Sequence, residues 1–193
     1  MALDRKELKD KAKKSFTPHL GAILLVLLIV LVVYGLLAVM SGVGAIVSFI
    51  IVGSISLSFA SIFLNVLKGK KPVAKDLIFG FQDENLLRGL FAFLRYEIFT
   101  FLWTLLLIVP GIIKSISYSQ MFYLMAENPK MTAGEAQAKS MKIMEGHKWD
   151  YFILQLSFIP WHLLSIVTFG IAEIYVTPYV STTNAAFYKK INK

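Results

Sequence analysis

Apolar residues along this chain come in runs of about 20, separated by short lysine-rich segments. Neither the strict alternation of a half-buried strand nor the narrow stripe of a surface helix describes them. Runs of that length suit helices crossing ~30 Å of hydrocarbon. The clearest covers 20–40, LGAILLVLLIVLVVYGLLAVM, and carries no charge. After a short SGVG turn at 41–44, a second span is predicted over 46–67. It sets Gly44 and Ser48, then Ser54 and Ser58, four apart on one helical face, a spacing that lets helices approach closely in lipid. The segment KGKKPVAK is followed by DLIFGFQDENLLRG, whose mixed polarity predicts an interfacial stretch. A third apolar region then runs from about Leu90 to Met125. As one helix it would be ~54 Å long, too long for a single crossing.

Basic residues decide how that region is divided. Pro110-Gly111 lies inside LLLIVPGIIKSIS at 105–117. If the pair only kinked one span, the basic segments at 68–88 and 130–148 would fall on opposite sides, against the positive-inside tendency. If it turns the chain, 18 of the 20 Lys and Arg lie on the cytoplasmic side, leaving Arg95 and Lys114 within spans. The turn is therefore expected, dividing the region into spans 90–109 and 111–126. Asn128-Pro129 stops the fourth span, and Thr132 to Glu135 fits a capping box. This box opens an interfacial helix over 132–145 with Ala133, Ala136, Ser140 and Met144 on one face. Spans five and six are expected over 151–168 and 170–188. Pro160 and Pro178 interrupt them, depriving the carbonyls of Leu156 and Ile174 of helical donors.

The predicted fold is all-α: one integral membrane domain over 1–193, a polytopic bundle of about six transmembrane helices in three outward-pointing hairpins, with cytoplasmic interfacial helices. Both termini are placed in the cytoplasm. Composition agrees, with 56% hydrophobic residues, 17% charged and a mean hydropathy of +0.66. The charged N-terminus lacks a signal-peptide pattern, so the first span is expected to be retained. A stripe of Leu3, Leu8, Ala12 and Phe16 in segment 1–18 predicts a basic helix lying on the membrane surface. Arg5, Lys6, Lys9, Lys13, Lys14, Lys70 and Lys71 are then the expected contacts to anionic lipid headgroups. The net charge of +8 is accounted for by this one-sided coating, not by nucleic acid.

The segment from Pro110 to Tyr188 resembles a bacterial integral membrane family known as domain of unknown function 975. The resemblance rests on Pro110-Gly111, Tyr118-Ser119, Tyr123, Pro129, Ser140, Met144, Gly146, Leu156-Ser157-Phe158, Trp161, Gly170, Pro178-Tyr179 and Phe187-Tyr188, and the basic N-terminus also fits. It implies a multi-pass protein of a bacterial cytoplasmic membrane and no particular activity.

Arg95, Glu97, Lys114 and Glu173 are the ionisable residues within predicted spans. Such groups are costly in hydrocarbon and mark pathways or pairs. Lys114 and Glu173 each follow an outer turn by about three residues, which predicts a Lys114 to Glu173 contact. Tyr118, Ser119, Gln120 and Tyr123, with Thr182, Thr183 and Asn184, add polarity that either lines a small cavity near the breaks at Pro110, Gly111, Pro160 and Pro178 or simply bonds helix to helix. His19, His147 and His162 lack metal-ligand spacing, and His162 reads as a packing residue. With no cysteine, no phosphate loop and no nucleophile elbow, neither an enzyme nor a cofactor is expected. Two functions remain: lateral contact with lipids, a second copy or another membrane protein, and a small transporter or lipid-handling role.

Overall fold

The computed structural model describes residues 4–82 and 84–192. It is 84% helix, with no strands among the described residues. Leu3, part of the expected N-terminal stripe, and Asp83 lie outside the described residues.

Helix α1, Arg5–Phe16, is opened by Asp4, whose carboxylate accepts the N–H groups of Lys6 at 2.9 Å and Glu7 at 3.3 Å. Its apolar stripe does not face the membrane surface as expected. Leu8, Ala12 and Phe16 are buried against α10, Glu173–Ile191. The reason is aromatic packing: Phe16 meets Tyr175 at 5.2 Å and Tyr179 at 5.8 Å between ring centroids. An ion pair between Glu7 and Lys190 ties the other end.

A 3-10 turn, Thr17–His19, leads into α2, Leu20–Val39, and the chain reverses at Met40 into α3, Ser41–Leu67. The expected SGVG turn belongs instead to the first turns of α3. The crossing is tight there, since a Cβ on Gly44 would lie 1.7 Å from the carbonyl oxygen of Leu37.

The Ser54/Ser58 face is closed from within the chain. Ser58 Oγ donates to the carbonyl of Leu77 at 2.8 Å and accepts the N–H of Gly80 at 2.8 Å. Both partners belong to a 3-10 segment, Ala74–Phe81, which thus packs on α3 and does not lie free at an interface. Ser54 Oγ donates to the carbonyl of Leu86 at 3.3 Å. Glycine makes both approaches feasible: a Cβ on Gly80 would stand 1.9 Å from Ser54 O, and one on Gly53 2.0 Å from Gly89 O.

Helix α4, Asn85–Leu106, turns back into α5, Ile108–Tyr118, at Leu107, whose backbone is extended. The reversal therefore precedes Pro110-Gly111, which sits in the first turn of α5. Proline has no N–H to leave unpaired there. Gly111 backs onto Thr104, whose Oγ1 would lie 2.2 Å from an added Cβ. Further along the antiparallel pair, the rings of Tyr96 and Tyr118 meet edge to face at 6.3 Å.

The expected span 111–126 is split at Ser119–Gln120, where α6, Met121–Glu127, begins a new direction. Helix α7, Ala133–Ile143, starts at the predicted capping box: the N–H of Thr132 donates to Glu135 Oε2 at 2.8 Å, and that of Glu135 to Thr132 Oγ1 at 3.3 Å. The N–H and the hydroxyl of Thr132, both donating to Glu135 Oε2, hold that carboxyl below the usual carboxylate range. Its face with Ala136, Gln137 and Ser140 is buried against α4, α5 and α6, so protein and not lipid covers that side.

Helices α8, Lys148–Leu156, and α9, Ile159–Val167, run antiparallel to α10. Tyr151 meets Phe187 at 5.0 Å, Gln155 Nε2 donates to Asn184 Oδ1 at 2.7 Å, and Phe158 meets Tyr179 at 5.3 Å. Phe169, in the left-handed region at φ 51, turns the chain between them. Four helical stretches are long and apolar enough to cross a membrane: Arg5–Val39, Gly42–Leu67, Asn85–Leu106 and Lys148–Val167. Six were expected from the sequence. The fourth expected span is cut into short helices, and α10, the sixth, is interleaved with polar residues such as Thr177, Thr182, Thr183 and Asn184.

Candidate functional site: a basic groove over a broken helix

Pro160 has no backbone N–H, and α9 begins with it in the first turn. The helix therefore breaks over Ser157–Phe158. The N–H of Ser157 still reaches Ile153 O at 3.1 Å and that of Phe158 reaches Gln155 O at 3.0 Å. The Ser157 carbonyl points out of the ladder, and the Lys9 ammonium donates to it at 3.3 Å. The same ammonium lies 4.2 Å from the centroid of the Phe158 ring, a cation–π contact. Two sequence features thus meet here, the basic N-terminus and the proline break.

A groove of about 680 Å³ opens over this junction, lined by Asp4, Arg5, Lys6, Lys9, Asp10, Ser157 and Tyr179. Asp4 already accepts two backbone N–H groups. Three cations, Arg5, Lys6 and Lys9, outnumber the carboxylates of Asp4 and Asp10 beside the Tyr179 phenol, and this net positive lining suits an anionic oxygen such as a phosphate. Lys13 and Lys14 are exposed in the last turn of α1, away from the groove lining, and Lys70 and Lys71 are exposed on the loop after α3.

The expected intramembrane charges are dispersed. Arg95 donates through Nε to Gln137 Oε1 on α7 and stacks over Phe99 at 5.0 Å. Glu97 is exposed. Lys114 lies over the Trp103 ring at 4.7 Å, and Tyr118 is buried. Among the described residues Lys114 and Glu173 form no ion pair. Glu173 instead accepts from Thr177 Oγ1 at 3.0 Å and faces His162 Nδ1 at 3.6 Å. The expected pairing failed because α5 turns its lysine toward the aromatic ring of α4, while α9 supplies Glu173 with a histidine. His162 is accordingly no mere packing residue. Helix α10 continues through Pro178 without a break.

Polar residues around the breaks bond both between helices and within them. Tyr123 Oη donates across to Ser181 O at 3.3 Å, whereas Thr183 Oγ1 donates back to Tyr179 O of its own helix at 2.7 Å. Three buried atoms near them have no protein partner: Gln120 Oε1, Gln137 Nε2 and Thr182 Oγ1.

Sequence reasoning missed two clusters. Arg88 on α4 donates to the carbonyls of Asn128 and Met131, each at 3.0 Å, and to Asn85 Oδ1 at 2.5 Å. Pro129 was the available signal, since a proline after α6 leaves terminal carbonyls without helical donors. The second is Glu127, which accepts from Tyr188 Oη at 2.8 Å and pairs with Lys189. Nothing in the local sequence marks that contact, whose partners lie 61 and 62 residues away.

No curated protein and no solved structure matches the chain. A family model described as a protein of unknown function, DUF975, matches residues 1–117 and 105–193. Those two matches together cover every helix described above, and the chain belongs to the DUF975 family.

Proposed function

We propose that this is a non-catalytic, multi-pass protein of a bacterial cytoplasmic membrane that acts through lateral contacts with anionic lipids and neighbouring membrane proteins. In this reading six segments cross the bilayer in three hairpins, and both termini, with 18 of the 20 Lys and Arg, face the cytoplasm. The observation that carries the reading is the groove where Arg5, Lys6 and Lys9 converge on the α8 to α9 break. Phosphate-bearing headgroups are the anions most concentrated at that surface. The Ser54/Ser58 face, being filled by the chain's own segments, is not the lateral contact surface.

Flotation of the reconstituted protein's N-terminal variants tests this. Replacing Arg5, Lys6 and Lys9 together by glutamine should abolish a preference for phosphatidylglycerol over phosphatidylcholine. An unchanged preference would remove the groove from the proposal. Because the chain has no cysteine, single cysteines at Lys14, Lys70, Leu107 and Phe169 report topology by labelling from either side.

A second reading is a small transporter, and one observation favours it: Gln120 and Gln137, buried on adjoining helices, each keep an unpaired amide atom. Broken helices at transport sites present such groups. Substrate-independent proton or ion flux in proteoliposomes, lost in Gln137→Leu, would support it.

A further inference from the structure

Helix α2 and the 3-10 segment Ala74–Phe81 lie side by side over α3 and touch only sparsely. Two cavities follow this seam. One, about 560 Å³, is lined by Pro18, His19, Leu25, Lys71 and Val73 among others. The next, about 190 Å³, is wholly apolar and is lined by Ile29, Val30 and Val33 of α2, Ile55 of α3, and Ile78 and Phe81. Residues 22, 25, 29 and 33 recur at intervals of three and four, so both cavities open on one face of α2. They share no lining residue but follow one another along α2, making a two-part seam with Lys71 at one end and apolar walls at the other.

The basic end is built rather than accidental. His19 Nε2 lies 3.3 Å from the Gly69 carbonyl, which pins the loop beside the start of α2. Lys70, Lys71 and Lys75 form no ion pair among the described residues. The nearest acid, Asp76, is engaged with the N–H of Val73 at 2.9 Å. The apolar part, from Leu25 to Val33, runs about 12 Å along the helix, close to half of the ~30 Å hydrocarbon thickness.

We infer that these two cavities together hold one anionic phospholipid, its phosphate at Lys71 and one acyl chain in the crevice walled by Val30, Ile78 and Phe81. The inference rests on the membrane reading above but concerns a site separate from the groove at Lys9. A soluble phosphate could use the same lysine, but it would not use the apolar crevice.

Native mass spectrometry of the full-length, lipid-stripped protein in mild detergent tests this with dioleoyl phosphatidylglycerol, dioleoyl phosphatidylcholine and glycerol phosphate as probes. Expected is one phosphatidylglycerol retained under activation that strips the other lipids, at least ten times more than phosphatidylcholine. Val30→Trp and, from the opposite wall, Ile78→Trp should each cut retention at least tenfold. Lys70→Gln with Lys71→Gln should equalise the two lipids. Leu31→Trp, on the exposed side of α2, should leave retention intact. Equal retention of both lipids by the unaltered chain, retention unaffected by both tryptophan variants with preserved helicity, or glycerol phosphate bound as well as the lipid would each overturn the proposal. Carbonate extraction of the native membranes separates the two claims. Protein released by carbonate sinks the membrane reading, whereas embedded protein without retained lipid sinks the lipid site alone.

Discussion

The hydroxyl of Ser140 donates to the carbonyl of Ser117 at 2.7 Å and accepts the N–H of Gln120 at 3.2 Å. One side chain on α7 thereby replaces the helical bonds lost between α5 and α6. Ser140→Ala would leave a buried donor and a buried acceptor unpaired, and about 1–3 kcal/mol of stability should be lost. Unfolding of the detergent-solubilised protein in mixed micelles measures it. A loss below about 0.5 kcal/mol would mean that water replaces the hydroxyl.

The approach of the 3-10 segment to α3 depends on Gly80. With Ser54 O only 1.9 Å from the site of an added Cβ, Gly80→Ala forces the two backbones apart. Destabilisation of about 1–3 kcal/mol is expected, together with loss of the Ser58 bonds. Gly21→Ala, where nothing lies within 4 Å, is the control and should be neutral or slightly stabilising.

Arg88 should not be replaceable by lysine. Its planar fork serves three partners at once, Nη1 donating to Asn85 Oδ1 and Nη2 to the carbonyls of Asn128 and Met131, and a single ammonium on a shorter stem cannot span all three. Arg88→Ala should cost about 2–3 kcal/mol, with Arg88→Lys recovering less than half. Equal thermal midpoints for native protein and Arg88→Lys would refute the fork argument.

Acid should loosen the C-terminal end of α10. Burial pushes the Glu127 carboxyl up, but hydrogen bonds from Lys189 and Tyr188 and the charges of Lys189 and Lys68 outweigh it, and the group is held below its ordinary value. A depressed folded value means the contribution is full above the ordinary carboxylate range near 4.3 and is lost as pH falls through the folded value. Stability measured from pH 6 downward should therefore drop below about pH 4, and Glu127→Gln should flatten that limb. An unchanged slope in the variant would assign the acid sensitivity elsewhere.

Helix content was legible in the sequence wherever apolar runs were long: 20–40 and 46–67 correspond to α2 and α3 within a few residues. Legibility ended where a tertiary partner decided the outcome. The run 111–126 looks continuous, yet Ser140 supplies bonds from a distant element and lets it break, whereas Pro160 marked the break in 151–168 and only its Lys9 partner was hidden. The capping box at Thr132 and Glu135 was readable because it is local. What lay beneath α7 was not, since an amphipathic face looks alike whether lipid or protein covers it. The same ambiguity explains α1, whose stripe fits a membrane surface and the flank of α10 equally well. For the candidate site, the lysines and the proline were each visible, but their meeting was not, because 148 residues separate Lys9 from Ser157.

That separation has a consequence for how the chain is made. Helix α1 leaves the ribosome first among the described elements, and α10, which it packs against through Phe16 and reaches again through Glu7 and Lys190 across 183 positions, leaves last. Until then Leu8, Ala12 and Phe16 have only part of their protein cover, from α2 and α3, and the membrane surface is the nearest shelter for the rest. The bundle would close only when its final helix arrives to take the first one off the lipid.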